Sequence, residues 1–337
     1  MSASHPPLLF ALSESRPLGL AIGHAAGLEL APLEERPFEE GEFKLRPLTS
    51  VRNRKVFVVQ SLAGDADAPV AQRLVRLLFL LFGLRDAGAA QLTLLVPYLA
   101  FARKDSRTQA RDPVSSRYMA QLLEATGMSR VVALDVHNQA AFENAFRIPT
   151  DHLSAIPMFV EHFSKQDFTA RVAVASPDVG GVKRAQRFRE LLERRLGREI
   201  ELAFIEKRRA RGLVSSGRVV GDIANRHVIV LDDLCATGAT LLRAAATLRE
   251  GGAEAVHVAF THAPLPRSLA ALESAAAISQ IVLTDSVGLP SHGAPASARG
   301  RIHVLPVAPL FGEALLRMIQ GAALAPLFET WPPADAD

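Results

Sequence analysis

The chain has 337 residues, comfortable for two domains, with apolar, charged and aromatic contents near those of ordinary globular proteins. Its net charge of +3 points to no nucleic-acid partner, because the basic residues come in small clusters beside acids rather than as one block. The single cysteine, Cys235, excludes an internal disulfide framework and suits a reducing compartment.

No basic region precedes Arg16, and the apolar run from Leu8 to Leu12 is too short for a secretion signal. The longest uncharged run, Ala87 to Ala102, contains Gln, Pro and Tyr and falls short of a membrane span. A soluble cytoplasmic protein with no membrane partner is the expectation.

Leu8 to Leu12 predicts a first strand and Leu18 to Ala26 a helix behind it. Next comes an acidic turn, Phe38-Glu39-Glu40-Gly41-Glu42, leading into alternating Phe43 and Leu45. Such turns usually face solvent, but an aromatic on one can stack on a purine while the acids take its amino group and ribose. Val56 to Gln60 reads as a buried strand and Val70 to Leu84 as a strongly apolar helix. Leu92 to Val96 is the next strand, running into Pro97-Tyr98-Leu99-Ala100-Phe101-Ala102-Arg103-Lys104-Asp105. Two aromatics followed by closely spaced ionisable groups, at the carboxyl end of an α/β strand, stand where ligands are met. Ser115 to Gly127 predicts a helix, and Val131 to Leu134 a strand delivering Asp135-Val136-His137. A lone histidine is usually structural; at this strand end a metal or phosphate contact is also open to it. A short helix over Ala140 to Phe146 follows, and Pro149 and Pro157 mark a domain boundary.

The second half repeats the alternation without a strict sequence repeat. A strand over Val172 to Ala175 precedes Ser176-Pro177-Asp178-Val179-Gly180-Gly181, a diglycine loop opening a basic helix. There Asp178 can coordinate a cation while the glycine amides cradle charged oxygens. Leu202 to Ile205 is a strand ending in Glu206-Lys207-Arg208-Arg209-Ala210-Arg211-Gly212, a basic loop with mobile composition. Val219-Val220 reads as a short edge strand, followed by strands over Val228 to Leu231, Val256 to Thr261, Ile281 to Thr284 and Ile302 to Val307. A loose connector spans Gly288 to Gly300, and a last helix spans Val307 to Gln320.

One stretch organises the rest. The apolar run from Val228 drives into Asp232 and Asp233, passes through Ala236-Thr237-Gly238-Ala239-Thr240, and restarts as a Leu/Ala-rich helix. Thr237 to Thr240 offer amides and two hydroxyls at the positive end of that helix, and Gly238 has no Cβ to obstruct a phosphate. The two carboxylates can accept hydrogen bonds from vicinal sugar hydroxyls or hold a hydrated divalent cation. The plainer reading is a solvated turn with a threonine cap, which two acids flush against an apolar strand make the weaker one. Cys235 is expected to fill space.

This run resembles the PRPP-binding loop of the type I phosphoribosyltransferase fold: two acids, three variable residues, then Thr-Gly-x-Thr. Four further segments resemble ribose-phosphate pyrophosphokinases (PRPP synthetases) in that family's order. They are the Phe38 to Glu42 turn, the Pro97 to Asp105 loop, the Ser176 to Gly181 pyrophosphate loop and the Glu206-Lys207-Arg208-Arg209 start of a catalytic flexible loop. With Asp135-Val136-His137 the similarity runs from about Leu8 to about Gln320.

The resemblance implies an α/β protein of two similar phosphoribosyltransferase-like domains, each with a central, mainly parallel sheet flanked by helices. They would span 1–152, joined by a returning helix over 306–321, and 153–305, followed by a 322–337 tail. It implies transfer of the β,γ-diphosphoryl group of ATP to the 1-hydroxyl of ribose 5-phosphate, giving PRPP and AMP for nucleotide biosynthesis, with Mg2+. By position, Phe38, Glu40, Glu42, Arg103, Lys104 and Asp105 would hold ATP, partly from a neighbouring subunit. His137 and Asp178 would bind magnesium and the diphosphate, the latter on the loop Asp178, Val179, Gly180, Gly181. Asp232 and Asp233 would take the ribose hydroxyls, and Ala236, Thr237, Gly238, Ala239 and Thr240 the 5-phosphate. Lys207 and Arg209 would be the mobile catalytic cations. A homo-oligomer built from dimers, up to a hexamer, is implied as well.

The match has departures. Lys104 replaces the family's Gln, which is expected to put an extra charge beside the adenine or triphosphate. Leu99, Ala100 and Phe101 replace Phe, Gly and Tyr, and Thr261-His262-Ala263-Pro264 replaces a Thr-His-Gly start. Three other readings stay open. A PRPP-using transferase would lack the N-terminal loops, a non-catalytic associated subunit would have no need of the retained site residues together, and a related diphosphokinase would use another sugar phosphate.

Overall fold

The computed structural model describes residues 6–168, 171–206, 209–210, 213–214, 217–288 and 300–333. They fall into two compact units: 1–153 with 286–288 and 306–324, and 154–285 with 289–305 and 325–337. Each unit is built on a mainly parallel sheet.

The first unit runs β1 (Leu8–Ala11), α1 (Arg16–Ala25), β2 (Leu33–Pro37), β3 (Phe43–Pro47), β4 (Lys55–Val59), α2 (Val70–Asp86), β5 (Gln91–Val96), α3 (Ser115–Ala125), β6 (Arg130–Leu134), α4 (Gln139–Ala145) and β7 (Thr150–Leu153). Its five-stranded sheet has the order β1-β4-β5-β6-β7, all parallel. Apart from the edge strand β7, the strands are near-continuous apolar runs because helices cover both faces. Phe10, Val56, Val58, Leu92 and Leu94 pack with Leu77, Leu80 and Leu84 of α2 and Leu123 of α3. Over the other face lies α1, whose Gly19 and Gly23 sit against Ala11 and Leu9.

The apolar excess of α2 is explained by β2 and β3, an antiparallel hairpin seated on its outer side. Phe43 meets Phe79 edge-on at 5.5 Å, and the Arg76 guanidinium lies 5.7 Å over the Phe43 ring. Arg76 is in turn paired with Glu14 at 3.1 Å and with Glu35. Sequence periodicity missed β2 because Leu33-Glu34-Glu35-Arg36-Pro37 has no apolar alternation. Its polar residues pair across the hairpin instead, Glu34 with Arg46 at 2.6 Å and with Lys44 at 3.4 Å.

The second unit runs α5 (Ile156–Ser164), β8 (Arg171–Ser176), α6 (Val182–Leu196), β9 (Glu201–Glu206), β10 (Arg209–Ala210), β11 (Leu213–Val214), β12 (Arg218–Val220), β13 (Arg226–Leu234), α7 (Ala239–Glu250), β14 (Ala255–His262), α8 (Pro266–Ser274), β15 (Gln280–Thr284) and β16 (Ile302–Leu305). The proline taken as a boundary mark, Pro157, begins α5, where its missing N–H is no loss. Pro266 does the same for α8.

The seven-stranded sheet is ordered β12-β9-β8-β13-β14-β15-β16, parallel except for the antiparallel edge strand β12. Leu241, Ala245 and Leu248 of α7 and Leu269 and Leu272 of α8 pack on Val228, Val230, Val256 and Val258. On the opposite face, near the strand starts, His257 bonds Gln280 at 3.0 Å and His227 at 3.2 Å, with Phe163 and Phe168 edge-on to its ring. Burial pushes the His257 and His162 imidazoles down to about 4, so these two rings are neutral near pH 7.

The last helix, α9 (Ala308–Gln320), belongs to the first unit and packs along α1. Its Gly312 is the point of closest approach. A Cβ there would lie 2.5 Å from the Ala25 Cβ and 3.2 Å from the Ile22 carbonyl oxygen. Gly312→Ala is therefore expected to cost about 1–3 kcal/mol through overpacking, read as a lower urea midpoint. An unchanged midpoint would mean that the two helices separate freely.

Candidate active site

In the second unit β8 is followed by β9 on one side and, after that excursion, by β13 on its other side. The loop after β8 leads to α6 on one face and the loop after β13 to α7 on the other. That reversal is a topological switch point, and the crevice outside it is where open α/β sheets bind ligands. Both sequence-singled loops of this unit lie there, on adjacent strands in register from Arg226 against Arg171 to Val230 against Ala175.

After β8, Asp178 caps a single 3-10 turn, Val179–Gly181, its Oδ1 accepting the Gly181 amide at 3.3 Å. The Ser176 hydroxyl donates to the Asp178 carbonyl at 2.6 Å. A Cβ on Gly181 would lie 2.7 Å from that hydroxyl oxygen, so the glycine is what lets the turn close. Val179 and Gly180 are exposed and Gly181 is buried.

The strand β13 is longer than its apolar run. Asp232 and Asp233 are inside it, because pairing with β14 continues to Leu234 opposite His262. Alternation then turns the two carboxyls to different surroundings, with Asp233 buried and Asp232 partly so. The Asp233 amide donates to Asp232 Oδ1 at 2.9 Å. Burial, and then the Asp233 carboxylate beside it, push the Asp232 carboxyl up to about 7, against the pull of Arg184 in the other direction.

Arg184, in the first turn of α6, was not singled out from the sequence. Its Nη1 lies 3.1 Å from Asp233 Oδ1 and 3.5 Å from Asp232 Oδ1. One guanidinium thus ties the diglycine loop's helix to both acids of the neighbouring strand. The signal available was a cation six residues after Asp178 on a helix start, a pattern that means nothing until the strand order is known.

Beyond the acids, Cys235 is buried and its thiol is pushed up to about 11 by burial, an inert space-filler. Ala236 is half-buried and Thr237 exposed. Gly238 caps α7 with φ +79°, a left-handed conformation that L side chains rarely adopt, and Ala239 and Thr240 open the helix. Residues 237–240 accordingly present a helix N-terminus with two hydroxyls, suited to a monoester dianion.

In the basic segment, β10 and β11 form a two-residue antiparallel ladder that contains the Arg209 backbone, with Arg209 opposite Val214. Lys207 lies outside the described residues.

In the first unit, Phe38 closes the turn between β2 and β3, its amide donating to the Glu42 carbonyl at 2.8 Å, with Gly41 at φ +90°. Its ring is partly exposed with the Arg36 guanidinium 4.9 Å above the centroid, and Glu40 and Glu42 are exposed. The loop after β5 carries Phe101, exposed and at φ +61°, an unfavourable conformation for an aromatic residue and one typical of ligand loops. Arg103 is exposed. Asp105 is fixed, accepting from Asn138 Nδ2 at 2.7 Å and from the Ser106 hydroxyl at 3.0 Å. Asn138 also caps α4 through the Ala141 amide, so the loops after β5 and β6 are tied together next to the exposed His137. Behind His137, Asp135 is buried at φ +37°.

Lys104 is half-buried in the same loop. Its ammonium is bound within its own loop, 2.5 Å from Asp112 Oδ2 and 3.0 Å from the Thr108 hydroxyl.

Strand order, paired acids and a Thr-Gly-Ala-Thr helix start define a protein of the phosphoribosyltransferase class. Residues 154–285 match the family model described as the phosphoribosyl transferase domain, and residues 8–127 match that of the N-terminal domain of ribose phosphate pyrophosphokinase. A ribose-phosphate pyrophosphokinase of Caldanaerobacter subterraneus subsp. tengcongensis is 35% identical, over 95% of this chain and 97% of its own. One of Hyphomonas neptunium is 33% identical over 95% and 99%. The crystal structure of phosphoribosylpyrophosphate synthetase from Mycobacterium smegmatis superposes with a TM-score of 0.82 at 28% identity, covering 94% of this chain and all of that one. The chain belongs to the ribose-phosphate pyrophosphokinase family. Among the described residues no helix is long and apolar enough to cross a membrane.

Proposed function

We propose that the protein is a ribose-phosphate diphosphokinase, transferring the β,γ-diphosphoryl group of ATP to the 1-hydroxyl of ribose 5-phosphate. The observation that carries this is likeness to ribose-phosphate pyrophosphokinases along 95% of the chain, with both switch-point acids and the Thr-Gly-x-Thr turn retained.

In this reading Thr237 to Thr240 anchor the 5-phosphate, and Asp232 and Asp233 accept the ribose hydroxyls. Asp178 and the Gly180 and Gly181 amides hold the diphosphate. Phe38 stacks on the adenine, Glu40 and Glu42 take its amino group and ribose, and Arg103 and Asp105 flank the triphosphate. The sugar 1-hydroxyl oxygen attacks the β-phosphorus, loses its proton, and forms the new P–O bond. The bond between the β-phosphorus and the α,β-bridging oxygen breaks, and AMP leaves with the electron pair. Because little covalent work falls to the protein, catalysis is alignment and neutralisation of charge on the phosphoryl oxygens. Lys207 and Arg209 supply positive charge at that moment.

Among the described residues no three His, Cys, Asp or Glu side chains converge as an all-protein metal cage. The donor chemistry at Asp178 fits Mg2+, which keeps its waters and binds through one or two carboxylates and substrate phosphates. His137 would contact the diphosphate or a metal-bound water. When bound, the ion would supply positive charge that offsets the charge of the phosphate oxygens. Family membership also supports a homo-oligomer.

The test is AMP release from ATP and Mg2+ with a panel of pentose phosphates. AMP formed with ribose 5-phosphate alone is the expected result. No AMP with any acceptor would point to a non-catalytic associated subunit, and AMP with a different pentose phosphate would reassign the acceptor.

A further inference from the structure

The loop between β5 and α3 contains a hub that is not among the site residues named so far. The Asp112 carboxylate Oδ2 accepts four bonds: from Lys104 Nζ at 2.5 Å, the Thr108 amide at 3.0 Å, the Thr108 hydroxyl at 2.8 Å and the Gln109 amide at 3.0 Å. The Arg107 Nε donates to the Asp112 carbonyl at 3.3 Å, and the Lys104 carbonyl accepts from the Ser116 amide at 3.2 Å at the start of α3. One side chain thus closes the nine-residue span from 104 to 112, and the Lys104 carbonyl ties that span to α3. The Lys104 ammonium, with the Thr108 hydroxyl and the backbone amides, holds the Asp112 carboxyl well below the usual carboxylate range, so the hub stays anionic in any ordinary buffer.

The consequence for Lys104 is direct. An ammonium is a compact charge with three donors, and here two of them are directed to Asp112 and Thr108. Its neighbours on either side are disposed differently: Arg103 is exposed, and Asp105 is fixed from the other direction by Asn138.

We propose that Asp112 is a positioning residue for the nucleotide. Its carboxylate withdraws Lys104 from the ligand and rigidifies the loop, so that Arg103 and Asp105 meet the triphosphate from a preformed backbone. This deepens the reading of the Arg103 to Asp105 loop as a nucleotide site and rests on it.

Two readouts separate the hub from that reading. The first needs no ligand: limited trypsin digestion of the full-length protein, following cleavage after Arg103, Lys104, Arg107 and Arg111. Asp112→Ala is expected to speed cleavage in this loop, and Asp112→Glu to restore resistance. The second is steady-state kinetics. Loss of charge-assisted bonds of this kind is expected to raise KM for ATP about tenfold in Asp112→Ala, with kcat and KM for ribose 5-phosphate within twofold of wild type. If Lys104 acts through Asp112, the double variant Lys104→Ala/Asp112→Ala will have the KM for ATP of Asp112→Ala alone. Multiplying effects would mean that Lys104 binds the nucleotide itself and would overturn the proposal, as would an unchanged cleavage rate or an unchanged KM. Asp112→Asn, which keeps the side-chain volume, repeats the measurements should the alanine variant not fold. Absence of AMP in the wild type would instead defeat the functional reading, leaving the digestion result to judge the hub.

Discussion

Lys207→Ala is expected to lower kcat by roughly two to three powers of ten, about 3–4 kcal/mol of transition-state stabilisation, while KM for ribose 5-phosphate stays within about twofold. The separation follows from where each group acts. In the proposed reading the sugar phosphate is held by the 237–240 turn and by two acids on β13, elements that do not include residue 207. In that reading the lysine would act on charge that builds only as the β-phosphorus changes partners, so its removal is expected to be felt in the transition state and not in the sugar complex. Initial-rate kinetics with ribose 5-phosphate as the varied substrate decide the point. A turnover unchanged from wild type would remove Lys207 from the mechanism, and a large rise in KM at constant kcat would make it a binding residue instead.

Arg184→Ala is expected to destabilise the protein by about 2 kcal/mol at pH 8 and by much less at pH 5. The arginine faces two carboxylates, and removing one partner of a buried ion pair leaves charge uncompensated. The figure is set below the range for a fully buried pair because the Arg184 side chain keeps 19% of its exposure. The pH dependence comes from Asp232. Its carboxyl is already raised in the native state to about 7 from 3.8, so the native pair binds a proton more readily than the unfolded chain does. That contribution to stability is complete below the unfolded value and is lost as pH rises through the native one. Without Arg184 the native value rises further. At pH 5 Asp232 is protonated with or without the guanidinium, whereas at pH 8 the wild-type pair ionises against Arg184 and the variant must either keep two carboxylates without a counter-charge or hold a proton between them. Urea unfolding at both pH values reads this out. An equal loss at pH 5 and pH 8 would assign Arg184 to packing through its aliphatic stem.

The alternation of strands and helices is legible because parallel strands covered on both faces are written as uninterrupted apolar runs, Val228 to Leu231 and Val131 to Leu134 among them. Each site loop is legible for a related reason: chemistry-bearing side chains stand immediately after such a run, as Asp178, Asp232 and His137 do. What stayed hidden depends on partners distant in sequence. The strand β7, Thr150-Asp151-His152-Leu153, reads as polar; its Asp151 pairs with Arg130 on β6 at 2.5 Å, and the His152 Nε2 accepts the Val136 amide at 3.0 Å. Arg184 looks like one cation in a basic helix until the strand order sets it across from two acids. No sequence pattern marks Asp112, and only the folded loop brings four donors onto one of its oxygens. Lys104 stands out in the sequence as one of three adjacent charged residues, yet the direction of its ammonium is decided by that acid eight residues on.

The claim on which the account depends is that a diphosphoryl group moves as one piece. The most direct measurement follows ATP labelled separately at its α- and β-phosphorus through a single turnover with ribose 5-phosphate and Mg2+. The account requires the β label to appear on the sugar and the α label to leave in AMP. A β label retained in ADP, or a sugar that gains only the γ-phosphoryl group, would contradict it.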